Sequence, residues 1–121
     1  MKILVVDDSK AMRMIVVRAM KQAGFDSHVF EEAVNGAEGL RAILQGKPGL
    51  VLSDWNMPEM TGIEMLQKLR AGGDMTPVGF VTSEASGEIK KLAADSGAAF
   101  FVTKPFTADA MREAMGQLIK A

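Results

Sequence analysis

The chain has 121 residues, a length that suits one domain spanning 1–121, and 14 Lys and Arg against 15 Asp and Glu give no field favouring nucleic acid as a partner. With no cysteine, neither disulfides nor a thiolate metal site can form. The first apolar run, Ile3 to Val6, is too short for a signal-peptide core or a membrane span, so a soluble, cytoplasmic chain with no membrane partner is expected.

In chain order, Ile3-Leu4-Val5-Val6 predicts a buried strand with Asp7-Asp8 directly after it. From Ser9 to Ala23, the residues Met12, Ile15, Val16, Ala19, Met20 and Ala23 keep one helical face until Gly24 supplies a stop. Ser27 to Phe30 reads as a more exposed strand near an edge. Asn35 to Gln45 predicts a helix with Ala37, Leu40, Ile43 and Leu44 inward, ended by Gly46 and Pro48. Leu50 to Ser53 is a short buried strand that runs straight into Asp54 and a loop punctuated by Pro58. Ile63 to Ala71 follows as a helix with Ile63, Leu66 and Leu69 at helical spacing, broken by Gly72-Gly73. Val78 to Val81 is a strand, Glu88 to Ser96 a weaker helix, Ala99 to Val102 a strand, and Ala108 to Lys120 the last helix. Ser86-Gly87 and a thin apolar face of Ile89, Leu92 and Ala93 put the fourth helix at the low-stability end, a candidate for the part that moves.

Five strands alternating with five helices through short connections argue an α/β fold with a parallel sheet covered on both faces. The strand order 2-1-3-4-5 is taken from flavodoxin-like doubly wound folds rather than derived. In that order strands one and three are neighbours. Asp7, Asp8 and Asp54 then meet at one crevice outside the strand ends, and Lys104, after strand five, arrives beside them.

Three carboxylates that close cannot all stay ionised without a counter-charge, so they are met either by protonation or by a bound cation. All-oxygen ligands in a small open site suit Mg²⁺. The simpler alternative is that Asp7 and Asp8 cap the first long helix, and capping and coordination are compatible. With a cation present, Asp54 is a candidate nucleophile, since an exposed aspartate is already ionised at neutral pH and needs no general base. Its obstacle is repulsion from an incoming phosphoryl group, which Mg²⁺ and the Lys104 ammonium can offset. Thr82, closing the fourth strand, can donate its hydroxyl to a phosphoryl oxygen, and the Ser83 backbone N–H can add another bond. Singly these are an ordinary helix-start threonine and an exposed lysine; at four strand ends together they form a constellation. His28, the lone histidine, reads as an ordinary surface residue, and the charged helix faces as solvated surface.

The motifs Val5-Val6-Asp7-Asp8-Ser9, Ser53-Asp54-Trp55-Asn56-Met57-Pro58, Val81-Thr82-Ser83-Glu84-Ala85 and Lys104-Pro105-Phe106 occur in that order. The chain resembles the receiver domains of bacterial two-component response regulators, most of all the single-domain chemotaxis kind, over essentially its whole length. That resemblance implies a CheY-like three-layer sandwich. It also implies that Asp54 is the phospho-acceptor, that Asp8, Asp54 and the Asn56 carbonyl bind Mg²⁺ with Asp7 acting through water, and that Lys104 pairs with the phosphoryl group. Thr82 and Phe101 become switch residues, Asn56 and Glu84 flank the phosphoryl group, and the Lys104-Pro105 bond is often cis.

Where the family usually carries a switch tyrosine, this chain has Phe101 and no tyrosine at all. A ring without a hydroxyl lacks one hydrogen bond that would hold a rotamer, so looser coupling to the output face is expected. The implied protein is a monomer and a signalling phospho-acceptor rather than an enzyme. It takes its phosphoryl group from a CheA-like histidine kinase and acts through a protein partner such as a flagellar switch component, with a phosphatase as a further partner. Its alternative is a relay intermediate serving a histidine phosphotransfer protein. No output domain follows the last helix, so output is expected to pass through protein contact. Two other classes fit less well. A flavin phosphate would be repelled by Asp7-Asp8, and an aspartyl-phosphate hydrolase would carry an Asp-x-Asp nucleophile and covering insertions. A phosphorylation-independent interaction domain would lack some of the acidic-site members.

Overall fold

In the computed structural model, which describes residues 1–120, strands β1 (Lys2–Val6), β2 (Val29–Ala33), β3 (Leu50–Ser53), β4 (Val78–Thr82) and β5 (Phe101–Thr103) pair in parallel. The order is β2-β1-β3-β4-β5, as expected. Helices α1 (Lys10–Met20), α2 (Gly36–Gly46), α3 (Gly62–Ala71), α4 (Gly87–Asp95) and α5 (Ala108–Met115) form the crossovers. The domain end expected at Ala121 lies outside the described residues.

Side chains of a strand alternate between faces, and the two cores follow that alternation. Ile3, Val5, Leu50, Leu52 and Val81 pack with Val16 and Met20 of α1 and Met111 and Met115 of α5. Leu4, Val6, Val51, Val78 and Phe80 pack on the other side with Ile43 of α2, Met65, Leu66 and Leu69 of α3, and Ala93 of α4. The central strands are thus clamped from both faces, which fixes where their ends point.

Several boundaries differ from the sequence reading. The edge strand covers Val29–Ala33 rather than Ser27–Phe30, because it follows β1 in register from Lys2↔Val29 to Val6↔Ala33. Glu31 and Glu32 interrupt the apolar run, yet an edge strand tolerates them. Glu31 lies 4.0 Å from Lys2, and Glu32 accepts from Arg13 at 2.7 Å. The last strand is Phe101–Thr103 rather than Ala99–Val102, although Ala99 N–H still bonds the Val78 carbonyl at 2.8 Å. The last helix ends at Met115 rather than Lys120; Leu118 and Ile119 N–H both turn back to the Met115 carbonyl. After α1 the chain widens into a π turn, Lys21–Phe25, where Gly24 at φ 104° takes the left-handed conformation expected of a helix stop.

Three side chains expected on apolar helix faces are exposed, Ile15 at 49 %, Leu44 at 54 % and Leu92 at 43 %. For α2 the reason is visible: its buried side is made of Gly36, Gly39 and Ile43, and glycines bring the helix too close for a face of large residues. His28 sits at the opposite edge of the sheet from the acidic strand ends, within hydrogen-bond reach of the Met1 amino group and the Lys120 carbonyl.

The fourth helix spans Gly87–Asp95, capped by Ser86, and Ala93 is its one buried residue; Leu92 is exposed. So little buried apolar surface makes local opening easy. Amide hydrogen exchange should place α4 among the least protected helices, well below α1 and α3. Protection of α4 equal to theirs would contradict this account.

Candidate functional site

The parallel register Val6↔Ser53 carries β1 and β3 to a common edge, so Asp7 and Asp54, one residue past each strand, emerge side by side. Asp54 N–H extends the ladder to the Val6 carbonyl at 2.9 Å, and Asp7 N–H reaches the Ala33 carbonyl at 3.1 Å. On the far side, Thr82↔Thr103 ends the pairing of β4 and β5, and Lys104 N–H bonds the Thr82 carbonyl at 2.9 Å. Four strand ends therefore bring Asp7, Asp54, Thr82 and Lys104 to one edge.

Carboxylate oxygens of Asp7, Asp8 and Asp54 lie within 4.8 Å of one another. Lys104 Nζ stands 3.3 Å from Asp7 Oδ2 and 3.5 Å from Asp54 Oδ2. Asp7 Oδ1 accepts from Ser9 N–H at 2.9 Å, and Asp54 Oδ1 from Trp55 N–H at 2.7 Å. The helix α1 is capped by the Ser9 hydroxyl, so capping is not what Asp7 and Asp8 are used for. Asp7 is buried, Asp54 half-buried and Asp8 exposed. Burial pushes the Asp7 carboxyl above its ordinary range, the Asp54 charge adds to this, and the Ser9 N–H and Lys104 ammonium pull the other way. A cluster of oxygens only, with a buried carboxylate that resists ionisation, fits a hard divalent cation.

The loop after Asp54 is set by close backbone approach. A Cβ on Gly62 would lie 2.2 Å from the Asp54 carbonyl oxygen, and one on Gly36 would lie 2.4 Å from that of Met60. Gly62 N–H bonds the Trp55 carbonyl at 2.9 Å, and Thr61 starts α3 with a capping box shared with Glu64. Trp55 and Met57 point into the core. Asn56, between them, faces outward, and its amide donates to Glu84 Oε1 at 2.9 Å. These two residues flank the pocket. Thr82 is buried, its hydroxyl oxygen accepting from Glu84 N–H at 3.2 Å. The Lys104-Pro105 peptide is cis.

Phe101 does not touch the acidic cluster directly. Its ring lies 6.3 Å from that of Phe80, which lies 4.9 Å from Trp55, and Lys90 Nζ of α4 is 5.9 Å from the Phe101 centroid. Sequence reasoning passed over Arg13 and Glu32. Arg13 donates to the Asp7 carbonyl at 2.7 Å and to Glu32 Oε1 at 2.7 Å. The signal was there as a charged residue among the apolar positions of α1, opposite an acidic pair in an edge strand.

Because the raised Asp7 value means that the folded state favours the protonated acid, this group's contribution is present below the unfolded value of 3.8 and lost as pH rises through the folded one. Asp7→Asn should therefore raise metal-free stability at pH 7 by about 1 kcal/mol, the scale of relieving a functional site. The gain should vanish on acidification, as denaturant titrations at pH 7 and pH 3 would report. A destabilised variant at pH 7 would refute the assignment.

The response regulator receiver domain family matches residues 3–116. The chain is 37 % identical to chemotaxis protein CheY-3 of Vibrio cholerae, covering 99 % of this chain and 92 % of that one. It is likewise 37 % identical to chemotaxis protein CheY of Pseudomonas aeruginosa, over 99 % and 97 % of the two chains. Among solved structures it is similar to chemotaxis response regulator CheY4 of Vibrio cholerae, with TM-score 0.83 and 31 % identity over 98 % of both chains. The receiver domain of the Francisella response regulator 1452 superposes with TM-score 0.85 at 30 % identity, covering 97 % of this chain and 94 % of that one.

Proposed function

This chain belongs to the response regulator receiver domain family, and from that premise we propose that it accepts a phosphoryl group on Asp54 and relays a signal by changing shape. The observation that carries the reading is Lys104 Nζ, 3.3 Å from Asp7 Oδ2 and 3.5 Å from Asp54 Oδ2 beside Asp8.

An Asp54 carboxylate oxygen attacks the phosphorus of a phosphohistidine on a CheA-like kinase. A P–O bond forms as the P–N bond breaks, and the P–N electron pair returns to the imidazole, which takes up a proton. Lys104 exchanges its contact with Asp54 for the oxygens of the incoming group, whose charge it offsets. Thr82 keeps its oxygen toward Glu84 N–H and turns its hydrogen to a phosphoryl oxygen. Asp8, Asp54 and the Asn56 carbonyl would hold Mg²⁺, with Asp7 acting through water. The ion, when bound, supplies positive charge against the carboxylates and the phosphoryl oxygens. Asn56 and Glu84, joined across the pocket mouth, restrict the water that hydrolyses the acyl phosphate.

The readout is a population shift. The acyl phosphate draws Thr82 inward, Phe101 follows, and the face of α4, β5 and α5 changes for its partner. Similarity to chemotaxis proteins supports a flagellar switch component as that partner. We read the protein as a cytoplasmic monomer with a single receiver domain; no helix among the described residues is long and apolar enough to cross a membrane.

Incubation with acetyl phosphate and Mg²⁺ should add a single phosphoryl group by intact mass, and Asp54→Asn should abolish the gain. An unmodified wild type, or a variant that still gains the group, would overturn the reading. Phe101→Tyr should tighten phospho-dependent partner binding about fivefold, the worth of one hydrogen bond near 1 kcal/mol. Unchanged affinity in a binding titration would count against looser coupling through Phe101.

A further inference from the structure

We propose that Arg13 is a positioning residue for the divalent-cation pocket, its guanidinium holding the Asp7 carbonyl and so the turn that presents Asp7 and Asp8. This rests on the reading of that pocket given above and extends it to a residue that touches neither the ion nor the phosphoryl group.

Asp7 lies one residue beyond β1. Its N–H still finds a strand partner in the Ala33 carbonyl at 3.1 Å, but its own carbonyl accepts from Arg13 Nη1 at 2.7 Å. A buried carbonyl left without a donor is costly, so this bond decides the direction of the peptide. The peptide unit is planar, and fixing the Asp7 carbonyl also fixes the Asp8 amide. With Oδ1 of Asp7 accepting from Ser9 N–H at 2.9 Å, the turn keeps little freedom except in the Asp8 side chain. That side chain is the exposed member of the cluster, so its approach to an ion depends on where the backbone aims it.

Glu32 explains why the guanidinium can stay there. Arg13 is only 9 % exposed, and Nε donates to Glu32 Oε1 at 2.7 Å, which neutralises and orients the fork. One planar group thus serves a backbone carbonyl and a carboxylate at once, which a lysine ammonium cannot do with the same geometry. Residues that orient ligands commonly change metal affinity by about 10- to 100-fold when lost. A purely structural strut between α1 and β2 would lower stability and leave affinity alone.

The test titrates the full chain with MgCl₂, following emission of Trp55, the one tryptophan, with calorimetry in parallel and thermal midpoints of the metal-free protein. Arg13→Met should weaken Mg²⁺ binding by about tenfold or more, and Arg13→Lys by about three- to fivefold. Glu32→Gln, whose amide oxygen still accepts from Nε, should stay within about twofold while lowering the midpoint. If Arg13→Met does not fold, Arg13→Lys decides. Wild-type affinity in the Arg13 variants overturns the role of Arg13 alone, as does a loss in Glu32→Gln equal to theirs. A wild type that binds no Mg²⁺ overturns the pocket reading itself.

Discussion

Like charges held together set the problem that the rest of this structure answers. Asp7, Asp8 and Asp54 offer oxygens within 4.8 Å of one another, while Lys104 brings a single ammonium to two of them. Fully ionised, three carboxylates against one ammonium would leave two negative charges uncompensated, the complement of a divalent cation. Such a cluster persists only on a support that does not relax away from it. The support is a sheet whose central strands are buried on both faces, with Asp7 and Asp54 on residues still bonded into the ladder. Loops would let the carboxylates drift apart; strand ends do not.

Stiffness at the acidic edge contrasts with the far side. The helix α4 buries only Ala93, with Ile89 partly buried against the same core, and Phe101 is half-buried between Phe80 and the Lys90 ammonium. From Trp55, next to Asp54, rings pass contact through Phe80 to Phe101 and so to α4. Phe101 has no hydroxyl to anchor its ring, so packing and the cation set its position. Under the proposed function, the site that receives the signal is rigid and the surface that reports it is loosely held. A two-state element of low local stability is easier to bias from a stiff site than from a yielding one.

The parallel, doubly covered sheet was legible from alternation, whereas its strand order came from flavodoxin-like folds; given that order, the meeting of Asp7, Asp8, Asp54 and Lys104 follows from residues at strand ends. What stayed hidden has physical causes. The edge strand was misplaced because Glu31 and Glu32 break an apolar run, yet one edge of that strand has no neighbour and its charges find Lys2 and Arg13. Leu44 shares a helical face with Leu40 by spacing, yet Gly36, Gly39 and Ile43 form the close face of α2 and Leu44 is exposed. Arg13 was overlooked because its value lies in a backbone carbonyl, and no side-chain pattern marks which carbonyls lack a partner.

The chain's own acids argue for which of them is structural and which is kept for another reason. Thr61 backbone N–H bonding holds the Glu64 carboxyl below its ordinary range, and Thr76 does the same for Asp74, side-chain bonding first. Both favour the folded state above their unfolded values, an advantage lost as pH falls through the lowered ones. Asp7 runs the other way, because burial dominates its environment. At neutral pH it detracts from a fold that Glu64 and Asp74 support. A carboxylate placed where it costs stability, beside two others and an ammonium, belongs to a site whose balance is completed by something bound. A divalent cation there would turn that cost into a gain, which ties folding of this edge to the ion that its chemistry calls for.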